Sequence, residues 1–214
     1  MAVSGSVLVD NSTLSRIDQS LHKLETGLAL IGGLAVFSLM ILAVISVGGR
    51  NFFNSPLPGY VDWIEQAMPL IAFVGVAYTQ RLGGHIRMDI LVGNLRGRPL
   101  WAAEFVSTSL MLLLMLLLVW GSFAHFQRAF DFGAPNWSRD SSLDIGLPLW
   151  PMKLVVPVAF SVLSLRLALQ VWGFGRAFVS NAKAPVAVPL VEDAATIAAN
   201  EAATVSGLED NEAN

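Results

Sequence analysis

The sequence predicts an all-α integral membrane protein with four transmembrane helices and a short amphipathic N-terminal helix. Three observations carry that expectation. Of 214 residues, 54% are hydrophobic and only 14% charged, whereas a soluble domain carries about 25% charged residues. The apolar residues gather into four long runs, each about the length that crosses a bilayer as a helix. Those runs are continuous, whereas barrel strands would be about 10 residues long and alternate apolar with polar. In lipid each backbone amide must find a partner inside its own segment, and a helix is the element that does so alone.

Residues 1–25 form the N-terminal segment. Leu14, Ile17, Leu21, Leu24 and Leu28 recur at helical spacing, while Arg16, Asp18, Gln19, His22 and Lys23 fall mostly elsewhere on the wheel. This pattern suits a helix lying in the membrane interface and equally an extension of the first span into water. A four-helix membrane domain, residues 26–176, follows. Its first span, 26–49, lies between Glu25 and Arg50 and reaches roughly 36 Å, enough for a hydrocarbon core of about 30 Å. It is too long, and starts too late, for a secretory signal. The second span, 60–80, has Asp62 and Glu65 in its first turns, where the helix dipole favours negative charge. The third, 105–124, is uncharged and leucine-rich, as lipid-facing helices are. The fourth, 147–172, carries Lys153 near its start and Arg166 near its end, where long side chains snorkel to the interface. Pro151 suits a helix start and Pro157 predicts a kink. Residues 177–214 read as a flexible acidic tail.

Lysine and arginine divide unevenly between the two sides. Arg16, Lys23, Arg81, Arg87, Arg96, Arg98, Arg166, Arg176 and Lys183 share one side; Arg50, Arg128, Arg139 and Lys153 share the other. The positive-inside rule then places both termini in the cytoplasm. In "QRLGGHIRMDI", residues 80–90, Arg81, His85, Arg87 and Asp89 mark the cytoplasmic exit of the second span, with Gly83-Gly84 breaking the helix. At the opposite edge Asp62 and Glu65 share a helix face, and Arg50 is within reach of them across a short loop. Trp63, Trp101, Trp120, Trp137 and Trp150 fall near span boundaries, as an aromatic belt does.

The composition also bounds the chemistry. With no cysteine there is no disulfide, thiolate nucleophile or Cys-ligated cluster. No charge falls in the middle of a span, where an ion-coupled carrier places one, so the chain reads as neither an enzyme nor a transporter by itself. Two readings compete: a b-haem electron carrier using His22 and His85, with His125 at the wrong face, and a free-standing tetraspan adaptor.

The order "GRNFFNSPLPGYVDWIEQA" (49–67), "RLGGHIRMDIL" (81–91), a leucine-rich span and "SSLDIGLPLWPMKLVVPVAF" (141–160) resembles the small membrane subunit, the DctQ-like Q subunit, of tripartite ATP-independent periplasmic (TRAP) transporters. The resemblance covers about residues 14–176. Where many members carry two adjacent acids, this chain reads Glu65-Gln66. The resemblance implies a non-catalytic inner-membrane subunit without cofactor, in a heteromeric secondary transporter for small organic acids. Its partners would be a large elevator subunit that uses the sodium gradient, a transient periplasmic binding protein, and phospholipid. It implies that Arg81, His85, Arg87 and Asp89 hold the cytoplasmic edge against lipid or the large subunit, and that Arg50, Asp62 and Glu65 organise the periplasmic edge. The loop 127–147, with Arg128, Asp131, Arg139, Asp140 and Asp144, would face the binding protein.

Overall fold

The computed structural model describes Val7, residues 13–81 and 97–180, and Val188. Among these residues the chain is helical, in the order α1 (Thr13–Phe53), α2 (Tyr60–Phe73), α3 (Val76–Arg81), α4 (Arg98–Ala129) and α5 (Trp150–Ser180). Three of these, α1, α4 and α5, are long and apolar enough to cross a membrane.

The N-terminal stretch is no separate interfacial helix. It runs unbroken into the first span, and at 41 residues α1 is roughly 60 Å long. Its inward face is a single seam: Leu14, Asp18, Leu21, Glu25, Leu28, Gly32, Ala35, Leu39, Leu42, Ser46 and Gly49 are buried or half-buried. The steps alternate four and three, the 3.5-residue repeat that keeps one edge of a long helix against its neighbours. Ile17 and Leu24, which belong to the apolar stripe of the sequence pattern, point outward, and Asp18 and Glu25 point inward. The stripe is therefore rotated from the expected one, for a reason the charges below supply.

The segment expected as the second span is two helices. α2 ends at Phe73, and α3 starts only after the turn at Val74-Gly75. Pro69, inside α2, lacks the amide its turn would use. A Cβ at Gly75 would meet nothing within 4 Å, so that glycine serves the turn and no close helix contact within the chain.

α5 is the central element, packing against α1, α2, α3 and α4. It continues through Pro157 as one helix. Ala77, Val162, Leu163 and Leu167 form a core that Leu21, Leu28, Met111, Leu112 and Met115 complete from α1 and α4. By contrast α4 exposes Leu110, Leu113, Leu114, Leu116 and Leu117, the surface expected of a helix solvated by hydrocarbon. A second cluster joins Trp101 and Phe174, whose rings stack at 6.2 Å, to Ala177 and Val188. Trp101 thus belongs to the core rather than to an aromatic belt. Val188 is completely buried, so at that position the stretch read as a tail is packed onto the bundle.

Candidate functional site

The start of α1, the end of α3 and the second half of α5 meet at one end of the bundle. Arg166 of α5 is fully buried there. Its Nε and Nη2 donate to Glu25 Oε1 and Oε2, both at 2.6 Å. Its Nη1 donates to Asp18 Oδ1. The other oxygen of Asp18 accepts from Arg81 Nη2 at 2.9 Å. Beside them Gln80 Nε2 donates to Gln170 Oε1 at 2.8 Å, and Gln170 Nε2 returns a bond to the Gln80 carbonyl at 3.3 Å. Two arginines and two carboxylates balance to zero charge, and Arg166 meets Glu25 with the two-pronged geometry that only a guanidinium offers.

This arrangement corrects two sequence expectations. Arg166 does not snorkel, because it has two carboxylates inside the bundle to neutralise it. Arg81 turns inward to Asp18, with its side chain only 11% exposed, and is not spread toward headgroups. The missed residues are Asp18, Glu25 and Arg166. Their signal was present: Asp18 and Glu25 lie seven apart, on one helix edge, and a lone arginine in an apolar run needs acids somewhere. His85, Arg87 and Asp89 lie outside the described residues, as does one half of the haem pair. The other half, His22, stacks on the ring of Tyr78 at 5.9 Å.

The opposite end is organised by Asp62 and the loop between α4 and α5. Asp62, 3% exposed, does not pair with Arg50. Its Oδ2 accepts from Ser142 Oγ at 2.6 Å and from the backbone amides of Ile145 at 2.8 Å and Asp144 at 3.2 Å. Asp144 in turn accepts from the Gly59 amide at 2.8 Å. Gly59 has φ +71°, and a Cβ there would lie 2.4 Å from Ile145, so both the backbone and the space call for glycine. Gln66 donates to the Pro148 carbonyl at 2.6 Å. An ionised acid at this position, the resemblance's second one, has no proton to donate. Arg50 and Glu65 are both exposed.

The loop is closed by two short antiparallel bridges, Phe130 with Ser138 and Ser141 with Pro148. Asn136 and Trp137 both take the left-handed conformation, at φ 54° and 58°, and the indole of Trp150 donates to the Asn136 carbonyl at 3.1 Å. A shallow cavity of about 560 Å³ opens between Asn136, Trp137, Pro148 and Trp150. Most of the expected docking charges are spent locally. Arg139 bonds Asp131 at 3.0 Å and Lys153 bonds Asp140 at 2.6 Å. The amide of Gly133 and the Arg139 guanidinium hold the Asp131 carboxyl below its usual range. Lys153, by hydrogen bond and charge, does the same for Asp140. Arg128 stays exposed, as do the apolar Phe132, Trp137 and Leu143, the last wholly so.

A family model described as "Tripartite ATP-independent periplasmic transporters, DctQ component" matches residues 39–176. The chain belongs to this DctQ family. The match takes in Arg81, Arg166 and the whole Asp62 loop; Asp18 and Glu25 precede it. No curated protein matches the chain. This DctQ chain is thus a membrane component of a tripartite transporter family, with a buried ionic cluster at one end and a carboxylate-pinned loop at the other.

Proposed function

We propose that this DctQ chain is the non-catalytic small permease subunit of a sodium-coupled, binding-protein-dependent importer of a small organic acid. It sits in the inner membrane with four spans, α2 and α3 together making the second, and both termini in the cytoplasm. It enlarges and anchors the static scaffold against which the large subunit moves. The observation that carries the scaffold reading is the self-neutralised cluster. Arg81, Arg166, Asp18 and Glu25 are consumed by one another, which holds helices together and leaves none of these charges to bind a travelling ion. The broad apolar surfaces of α1 and α4 suit lipid and a membrane partner.

In this reading the binding protein meets the loop 127–147. Because Asp131, Arg139, Asp140 and Asp144 are engaged within the chain, Arg128, Phe132, Trp137 and Leu143 are left to make contact. Reconstitution tests the proposal: sodium-driven uptake in proteoliposomes requires the large subunit, the binding protein and this chain together. Equal uptake without this chain, or uptake by this chain alone, overturns it.

A further inference from the structure

The network at the N-terminal end of α1 balances its charges yet leaves buried polar atoms without partners among the described residues: His22 Nδ1, Arg81 Nε and Gln80 Oε1. Of these side chains, His22 is the one whose charge changes between about pH 5 and pH 8. It sits four residues after Asp18 and three before Glu25, on their edge of α1. Among the described residues, the titratable and charged groups gathered around it are Asp18 and Glu25 on α1, Tyr78 and Arg81 on α3, and Arg166 on α5.

Each carboxylate oxygen of the two central acids already accepts from a guanidinium. Asp18 gives one oxygen to Arg166 and the other to Arg81; Glu25 gives both to Arg166. A neutral imidazole with its proton on Nε2 fits this arrangement, because Nδ1 then needs no acceptor while the ring stacks on Tyr78. Protonation puts an N–H on the buried Nδ1, where no acceptor waits, and adds a cation beside two guanidiniums. A buried donor without an acceptor is costly, and so is the added like charge. The least disruptive relief is for Asp18 to turn to the imidazolium and drop Arg81. Arg166 is held through two carboxylates by three bonds, whereas Arg81 is held to Asp18 by one. Arg81 is also the last residue of α3, six residues long and separated from α2 by the Val74-Gly75 turn.

We propose that His22 is a proton-operated latch: neutral, it leaves Asp18 free to fasten Arg81 and α3 to α1; protonated, it captures Asp18 and releases α3. The released form binds the proton more tightly, because it supplies the acceptor, so acid shifts the population toward release.

The chain has no cysteine, so a spin-label pair can be placed cleanly at the exposed positions Gln19→Cys and Thr79→Cys. The full chain in lipid nanodiscs is then measured by pulsed dipolar spectroscopy from pH 8 to pH 5. The expected result is one short distance at pH 8 and a longer population growing on acidification. The rise is on the order of tenfold for one pK unit of coupling. Arg81→Gln shows the longer distance already at pH 8. His22→Phe keeps the ring stack and stays short throughout; if it folds poorly, His22→Gln takes its place. A wild-type distance that does not move, or a pH response that survives in the folded His22 variant, overturns the latch.

Discussion

The two ends of this bundle solve the same problem with opposite chemistry. At one end, α1, α3 and α5 are joined by full charges: Asp18, Glu25, Arg81 and Arg166, with Arg166 wholly excluded from solvent. At the other end one carboxylate, Asp62, is satisfied by neutral donors, a hydroxyl and two backbone amides, with no cation paired to it among the described residues. The first end links helices whose partners lie 63 to 148 residues apart, and side chains must bridge them. The second end has a loop folded over it, whose backbone offers donors already aimed. A dry ion cluster is fragile to the loss of one member, because what remains is an uncompensated charge. A carboxylate spread over several dipoles loses them one bond at a time.

That contrast can be broken first at Arg166. Arg166→Met leaves Glu25 buried without its cation and Asp18 with Arg81 alone, and stability in detergent should fall by about 3–5 kcal/mol, read as loss of folded protein or of its thermal transition. Joining it with Glu25→Gln, which leaves Asp18 and Arg81 as a balanced pair, should restore most of the loss; no recovery would mean that packing, not charge balance, sets the cost. Asp62→Ala should act next and locally. Amide exchange at Ser142, Asp144 and Ile145 should quicken on the order of tenfold, while α1 and α5 near Arg166 keep their protection. Gly59→Ala should loosen the same loop through Ile145 and the left-handed backbone. Its effect should be non-additive with that of Asp62→Ala, since both release one latch.

The smallest effect is that of pH on the loop. The Asp140 and Asp131 carboxyls sit below the ordinary 3.8 in the folded chain. A group with a depressed folded value stabilises fully above its unfolded value, and that contribution vanishes as pH falls through the folded one. Exchange in residues 131–140 should therefore be unchanged from pH 8 to pH 5, intrinsic rates allowed for, and should rise only below about pH 4. Loosening of the loop near pH 6 would show that another group governs it. The α1–α3 distance, by contrast, should already respond in that interval if His22 acts as the latch.

Much of the fold was legible because bilayer chemistry writes directly into composition: a helix that faces hydrocarbon must be apolar for its whole length. That reasoning located α1, α4 and α5 and read the leucine-rich face of α4. It misjudged the face of α1, since a helical wheel assumes that apolar residues point inward. Here Asp18 and Glu25 gain Arg166 by facing in, and turning them inward turns Ile17 and Leu24 outward. Asp62 was picked out by its place at a helix start, but its partners were not, because two of them are backbone amides that no side-chain pattern encodes.

By itself the sequence determined that this chain forms long apolar helices and resembles the small TRAP subunit, because length, hydropathy and local motifs are one-dimensional quantities. Only the tertiary structure decided which charges neutralise which. It gave Arg166 to Glu25 across 141 residues of chain, Arg81 to Asp18, and Asp62 to a loop some 80 residues away. Those choices depend on distances of a few ångströms between elements remote in sequence, and an ion pair or hydrogen bond exists only at such a distance.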